Sequence, residues 1–281
     1  MYSQLYILYS LIYNIAKDVD CMKDVTHFYT DEVNDEFSGV SKRKIVVDDS
    51  FKFVHKNPLY IICEFIVHRI IVSPLAFFAK VFIYRQKTVG KKKLKGFKGK
   101  YIIYANHTQI PGDGLLPPTF LFPRKPYFVV SPDNIATRGF KNIMQMLGAI
   151  PTPTTLSALR IFEDSLKYRL SHGHPIVVYP EAHIWPYYTK IRNFKSTSFK
   201  YTIKFDVPAF CFVNTYQKTF LRKKPKIVTY IEGPFYPDKN LSGKACEKEL
   251  RDRIYNKMVE LSLNNTVEYK HHYIKKENNN E

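Results

Sequence analysis

One histidine in this chain stands where it can do acid–base chemistry. It is His107, within Tyr104-Ala105-Asn106-His107-Thr108-Gln109-Ile110-Pro111-Gly112-Asp113. The apolar run Tyr101-Ile102-Ile103-Tyr104 before it reads as a buried strand. A strand that ends in Asn-His and turns through Pro-Gly to Asp presents an imidazole and a carboxylate at a sheet edge. Those two groups are the minimum for a general base: the imidazole takes a proton, and the carboxylate fixes its tautomer and supports the cation. No Ser or Cys lies between His107 and Asp113, so the nucleophile is expected to come from the substrate. Taken alone the pair says little in a chain with 9 histidines.

A second segment strengthens it. Pro175-Ile176-Val177-Val178-Tyr179-Pro180-Glu181 is another short apolar strand, ending in Pro-Glu. Two strands that each run directly into a polar group fit an α/β sheet, where sites collect at strand ends and the loops beyond them.

Together these segments resemble the motifs of the PlsC-type glycerolipid acyltransferases, the lysophosphatidic acid acyltransferases. Asn106-His107 with Asp113 is similar to their first motif, although five residues separate His from Asp here and the family has four. The extra residue falls in Ile110-Pro111-Gly112, where a tight turn can absorb it. Gly148-Ala149-Ile150 resembles the start of the second motif, with Pro151-Thr152-Pro153 where an Arg is usual. Tyr179-Pro180-Glu181 matches the first half of the third motif; Ala182-His183-Ile184 replaces the family's Gly-Thr-Arg. Phe194-Lys195-Ser196-Thr197 is similar to Phe-Lys-x-Gly, and Val207-Pro208 opens an apolar strand like that of the fourth motif. The resemblance runs from about residue 85 to 235, in the family's order.

The resemblance implies an acyl transfer in which His107 is the base and Asp113 its partner. It implies that Glu181 holds the acceptor's glycerol-like hydroxyls. With the family Arg missing, phosphate recognition is expected of Lys190, Arg192 or Lys195, while His183 and Trp185 reshape the acceptor pocket. The acceptor would be a lysolipid such as 1-acylglycerol-3-phosphate. The donor would be a thioester of acyl carrier protein or coenzyme A, with no other cofactor. Backbone amides of the turn at 108 to 114 are candidates for oxyanion stabilisation. No metal site is expected, because His107, Asp113, Glu181 and His183 share no close ligand spacing.

Composition is consistent with an anionic partner. The net charge is +18, from 43 Lys and Arg against 25 Asp and Glu, and the chain is rich in Tyr and Phe. Such a surface suits an anionic membrane, an acidic carrier protein or nucleic acid. No nucleic-acid recognition module is evident, and no Gly-x-Ser-x-Gly elbow marks a serine hydrolase. Rival readings are a nucleic-acid binder and a membrane-surface protein without catalysis. Cys21, Cys63, Cys211 and Cys246 are scattered, which argues against a zinc site or disulfide framework and fits a reducing cytosol. Cys63 and Cys211 are expected to be buried.

The elements that must position the site follow from pattern. The segment 1 to 50 reads as an apolar stretch and then a polar loop region, with no basic leader or cleavage site of a signal peptide. Residues 58 to 84 are strongly apolar but interrupted by Glu64, His68, Arg69 and Lys80. Their longest uncharged run, Ile70 to Ala79, is short of the roughly 20 residues that cross a bilayer. Ser73-Pro74 is expected to break the segment into two amphipathic helices, an in-plane membrane anchor like the helical pair of the family. Lysines at 91, 92, 93, 95, 98 and 100 follow, each worth about 1 kcal/mol near anionic lipid. The enzyme is therefore expected at the cytoplasmic face of a membrane, as a monotopic or peripheral protein.

Further strands are expected at 127 to 130, 176 to 179, 207 to 213 and 226 to 231. Helices are expected from Thr137 to Leu147, after Thr154 or Thr155 with Leu159, Phe162, Leu166 and Leu170 buried, and after Ser242 with Leu250, Ile254, Met258 and Leu261 buried. The fold class is α/β, a mixed central sheet covered by helices, with the amphipathic helical pair before it. The domain layout is 1–50, the helical pair 51–88, the acyltransferase domain 89–270 and a polar tail 271–281.

Overall fold

The structure, a computed structural model, describes residues 23–37, 45–135, 141–220 and 222–276. The apolar stretch Met1 to Ile15 and the start of the helix expected from Thr137 lie outside them.

A seven-stranded sheet forms the centre, in the order β2-β8-β7-β3-β6-β4-β5. The strands are β2 (Lys87–Val89), β3 (Ile102–Ala105), β4 (Tyr127–Val130), β5 (Ala149–Pro151), β6 (Ile176–Val178), β7 (Ala209–Gln217) and β8 (Lys226–Phe235). All neighbours are parallel except β7 and β8. Five strands thus point one way and the β8-β2 edge points back.

Alternation along β3 shows how both faces are covered. Ile102 and Tyr104 enter one core, with Phe162, Leu166 and Leu170 of α5 (Leu156–Ser171) and Leu250, Ile254 and Met258 of α7 (Gly243–Ser262). Ile103 and Ala105 enter the other, with Leu94 of α2 (Lys91–Gly96) and Phe120 and Leu121 of α3 (Gly112–Leu121). A strand buried on both faces reads as a continuous apolar run, which is what the sequence has here. Thr155 caps α5 by accepting from the amide of Ala158. Gly148 takes φ 102°, and a Cβ there would lie 2.6 Å from the Pro126 carbonyl oxygen; that close approach fixes the glycine ahead of β5.

Three expectations are corrected. The apolar segment is not a broken pair: α1 runs unbroken from Pro58 to Ile83, 26 residues. A π-helical stretch, Ile66–Val72, ends two residues before Pro74. The wider turn moves the preceding carbonyls away from the proline ring, which would otherwise clash in a regular helix. Second, the 271–281 tail is not wholly free of structure, and the 16 to 50 region is not only loop. β9 (His271–Lys275) pairs in parallel with β1 (Val25–Tyr29) as a separate two-stranded sheet. Third, Cys63 is only half-buried, because it lies on α1; Cys211 is buried in β7 as expected. At the expected turn α3 begins, and it carries Asp113 in its first turn.

The charged residues of α1 face the domain and most of its large apolar ones face out. Glu64 accepts from Lys125 and from the Tyr127 hydroxyl, Arg69 donates to the Pro123 carbonyl, and His68 is buried. Leu59, Ile62, Phe65, Ile70, Phe78 and Phe82 are exposed.

Candidate active site

β3 and β6 lie side by side in register, Ile102 opposite Ile176 and Tyr104 opposite Val178. Their carboxyl ends therefore release His107 and the third-motif loop at one edge. The chain turns after His107 and enters α3 at Gly112, so that Asp113 swings back beneath the imidazole. His107 Nδ1 lies 2.8 Å from Asp113 Oδ2. The five-residue spacing thus closes the dyad.

The carboxylate is held on every side. Asp113 Oδ2 also accepts from the Gln109 amide at 2.9 Å, and Oδ1 accepts from Asn214 Nδ2 at 3.2 Å. An ionised carboxylate accepts only, so Nδ1 carries the proton and Nε2 keeps its lone pair. Nε2 makes no hydrogen bond to the described residues, and the imidazole side chain keeps 15% of its exposure against 4% for Asp113. The ring stacks on Tyr179, centroids 4.3 Å apart. This is the geometry that a general base requires, with the tautomer set and the free nitrogen directed away from the carboxylate.

Glu181 is placed differently from the expectation. It is buried, and its carboxylate accepts from the His107 amide at 3.3 Å and from Arg192, whose amide is at 3.4 Å and whose Nη2 is at 3.3 Å. Burial pushes its carboxyl up, while Arg192 and the His107 amide oppose that shift. Its oxygens anchor the strand end that carries the imidazole and do not open to an acceptor. Arg192 is likewise corrected. Its guanidinium is fully buried, donates to the Glu32, Glu181 and His183 carbonyls, and stacks over Trp185 at 4.8 Å. A guanidinium so engaged has no face left for phosphate.

Lys190 and Lys195 are exposed, and Lys190 borders a cavity of about 50 Å³ lined by Tyr29, Tyr188, His271 and Tyr273. His183 pairs with Glu36 at 2.7 Å, and Trp185 is buried, its Nε1 donating to the Asp35 carbonyl at 2.8 Å. Both hold the 31–37 segment over the third-motif loop. The amides of Gln109, Asp113 and Gly114 are spent inside the turn, on Asp113, Gln109 and Pro111, so these three are not oxyanion donors. Among the described residues, no group of three His, Cys, Asp or Glu could hold a metal ion.

Sequence reasoning missed Asn214 and the clamp by Tyr179. A signal for Asn214 was present: it is a polar residue inside the buried run Ala209-Phe210-Cys211-Phe212-Val213 and beyond, and a buried amide needs a partner.

Residues 81–215 match the family model described as Acyltransferase, a segment that includes His107, Asp113, Glu181 and Asn214. No curated protein matches the sequence. Among solved structures, the chain is similar to the 1-acyl-sn-glycerophosphate acyltransferase PlsC of Thermotoga maritima, with 17% identity and a TM-score of 0.47 over 72% of this chain and 93% of that one. The motif residues His107, Asp113 and Glu181 thus gather at one sheet edge inside the segment that matches the Acyltransferase family.

Proposed function

We propose that this acyltransferase moves a fatty acyl group from an acyl thioester to a hydroxyl of a lysophospholipid, 1-acylglycerol-3-phosphate or a related acceptor, at the cytoplasmic face of a membrane. The observation that carries the chemistry is the 2.8 Å hydrogen bond from His107 Nδ1 to Asp113, which leaves Nε2 as the base.

An alcohol is scarcely ionised at neutral pH, and a thioester carbonyl is already electrophilic. Nε2 takes the hydroxyl proton as the acceptor oxygen forms its bond to the carbonyl carbon. The C–S bond then breaks, and the imidazolium returns the proton to the departing sulfur. The products are an ester and a free thiol, and His107 ends as it began. Asp113 holds the ring and supports the cation. Such general-base assistance is typically worth ~10²–10⁴-fold. The logic is that of a serine hydrolase dyad with the acceptor's hydroxyl in place of the serine.

An apolar groove of about 410 Å³, lined by Leu94, Phe97, Tyr101, Phe120, Leu121 and Phe122, shares side chains with the core on the Ile103 and Ala105 side of β3. It supports a place for an acyl chain. Phosphate contact is assigned to Lys190 and Lys195. Membrane association is supported by the outward apolar side of α1, which exceeds what a solvated helix exposes, and by the lysines that follow it. The donor is a thioester of acyl carrier protein or coenzyme A, and no nucleic acid takes part.

The test is transfer of a labelled acyl group by the purified chain in lipid vesicles, wild type against His107→Ala. Both donors are offered with several lysolipids. Product that disappears in the variant supports the reading and names the acceptor. Equal product in both removes His107 as the base. Vesicle binding without product for any pair favours a non-catalytic membrane protein.

A further inference from the structure

Asp113 is the end of a buried chain of hydrogen bonds that all run toward it. Asn214 Nδ2 donates to Asp113 Oδ1 at 3.2 Å, the Thr229 hydroxyl donates to Asn214 Oδ1 at 2.7 Å, and Gln86 Nε2 donates to Thr229 Oγ1 at 2.6 Å. Asn214, Thr229 and Gln86 are all buried. The direction of every bond is forced from the carboxylate outward. The ionised carboxylate only accepts, so Asn214 must turn its NH₂ group to it. That leaves the amide oxygen facing Thr229, whose single proton goes there. Thr229 then has only a lone pair to offer Gln86, which must present its own NH₂. Donors aligned head to tail polarise one another.

The chain also crosses the fold. Asn214 is on β7 and Thr229 on β8, while Gln86 lies three residues beyond the end of α1 and its amide donates back to the Lys80 carbonyl at 2.8 Å. The backbone of Asn214 is held separately, by a reciprocal pair with Asn106: Asn214 N to Asn106 Oδ1 at 2.8 Å and Asn106 Nδ2 to the Asn214 carbonyl at 3.0 Å. Its side chain is thus reserved for Asp113 and Thr229.

We propose that Asn214 is a positioning residue for the dyad, locked by Thr229 and Gln86, so that the foot of the apolar helix α1 is wired to the carboxylate that orients His107. The proposal rests on the acyl-transfer reading for its kinetic consequence but not for its geometry. Without the Asn214 donor, Asp113 Oδ1 is free to rotate toward Nδ1 or away from it, and the imidazole loses its fixed tautomer. The other ionisable groups around the dyad are Glu181 on the His107 amide, Tyr179 on the ring, and Tyr216 behind Gln109.

Three variants of the full chain test it, each read two ways: acyl transfer in vesicles, and the His107 tautomer by long-range ¹H–¹⁵N NMR. Asn214→Asp keeps the shape but sets two carboxyls face to face, which then share one proton. We expect kcat about tenfold lower, because the shared proton takes negative charge from Asp113, with KM within about twofold and a new ionisation in the pH–rate profile. Thr229→Val cuts the chain one residue from the dyad. It should lower kcat about threefold and reduce the Nδ1–H fraction, while Thr229→Ser keeps wild-type values. A wild-type tautomer and pH profile in Asn214→Asp overturns the proposal. So does an equal loss in the Val and Ser variants with an unchanged tautomer. A tautomer change in a chain whose wild type transfers no acyl group upholds the positioning and sinks the acyl-transfer reading instead.

Discussion

Tyr179 lies flat on the imidazole of His107, 19° from parallel, and its hydroxyl donates to the carbonyl oxygen of Asp113 at 2.6 Å. One side chain from the end of β6 thus touches both members of the dyad. The ring offers its negative face to an imidazolium, and the hydroxyl fixes the first turn of α3. Tyr179→Phe keeps the stack and deletes the tether. A single neutral hydrogen bond is worth roughly 0.5–1.5 kcal/mol, so kcat should fall about three- to tenfold at unchanged KM. Tyr179→Leu should cost more, because the stack goes too; steady-state kinetics of both variants check the order.

Asp113→Asn is nearly isosteric but presents an NH₂ group to Nδ1. The imidazole then shifts its proton to Nε2, the nitrogen proposed as the base. Acyl transfer should fall by ~10²–10⁴ while the melting temperature moves little by comparison. Single-turnover measurement separates this loss from any change in substrate binding.

The Glu181–Arg192 pair, 0% exposed on both sides, answers to stability. Arg192→Leu strands a buried carboxylate, and breaking such a pair typically costs about 3–5 kcal/mol. The expected result is a large fall in melting temperature. Lys190→Ala and Lys195→Ala sit on the surface and should leave stability within about 0.5 kcal/mol, but raise KM for phosphate-bearing acceptors. A KM effect confined to Arg192 would reverse this assignment.

The outward side of α1 should govern lipid binding. Phe65 and Phe78 are 58% and 56% exposed, so Phe65→Glu with Phe78→Glu removes apolar contact without opening the core. Sedimentation with anionic vesicles should fall at least tenfold while the near-UV circular dichroism is retained. Glu64→Leu acts on the inward side, leaves Lys125 buried without its carboxylate, and should destabilise the fold.

Acid should loosen the β1–β9 corner. His27 Nε2 lies 2.8 Å from His271 Nδ1. Burial, then the neighbouring His27, His272 and Lys270, pulls the His271 pKa down to about 4, and burial lowers that of His27. Between pH 6.5 and about 4 the unfolded chain therefore binds more protons than the folded one, so stability rises with pH across that window. It is complete above 6.5 and lost as the pH falls toward about 4. The chain has 1 tryptophan, and Trp185 stacks on Tyr273 of β9 at 4.9 Å, so its emission should report the opening. His271→Phe should flatten the acid limb.

Much of the sheet and the dyad was legible because both depend on local signals. Apolar runs of four or five residues gave β3, β4 and β6, and the helical stripes of α5 and α7 fell where their leucines recur. Other parts depend on partners far away in sequence. Nothing near Glu181 says that Arg192 will fold back on it, so a binding role and a structural one looked alike. The strands Val25–Tyr29 and His271–Lys275 are half exposed and rich in His and Tyr, and only their mutual pairing makes them strands. Pro74 signalled a break because the rule assumes a regular helix before it, and the π-helical stretch removes that assumption.

The pairing of β1 with β9 also sets an order of events at the ribosome. His27 and His271 are 244 residues apart. At ordinary elongation rates of about 5–20 residues per second, the first strand waits on the order of tens of seconds for its partner to be made. In that interval the central sheet and the dyad can assemble while Trp185 and Arg192 are still uncovered. The nascent chain can thus form the dyad before its cover, and β9, made after the central sheet, closes the third-motif loop.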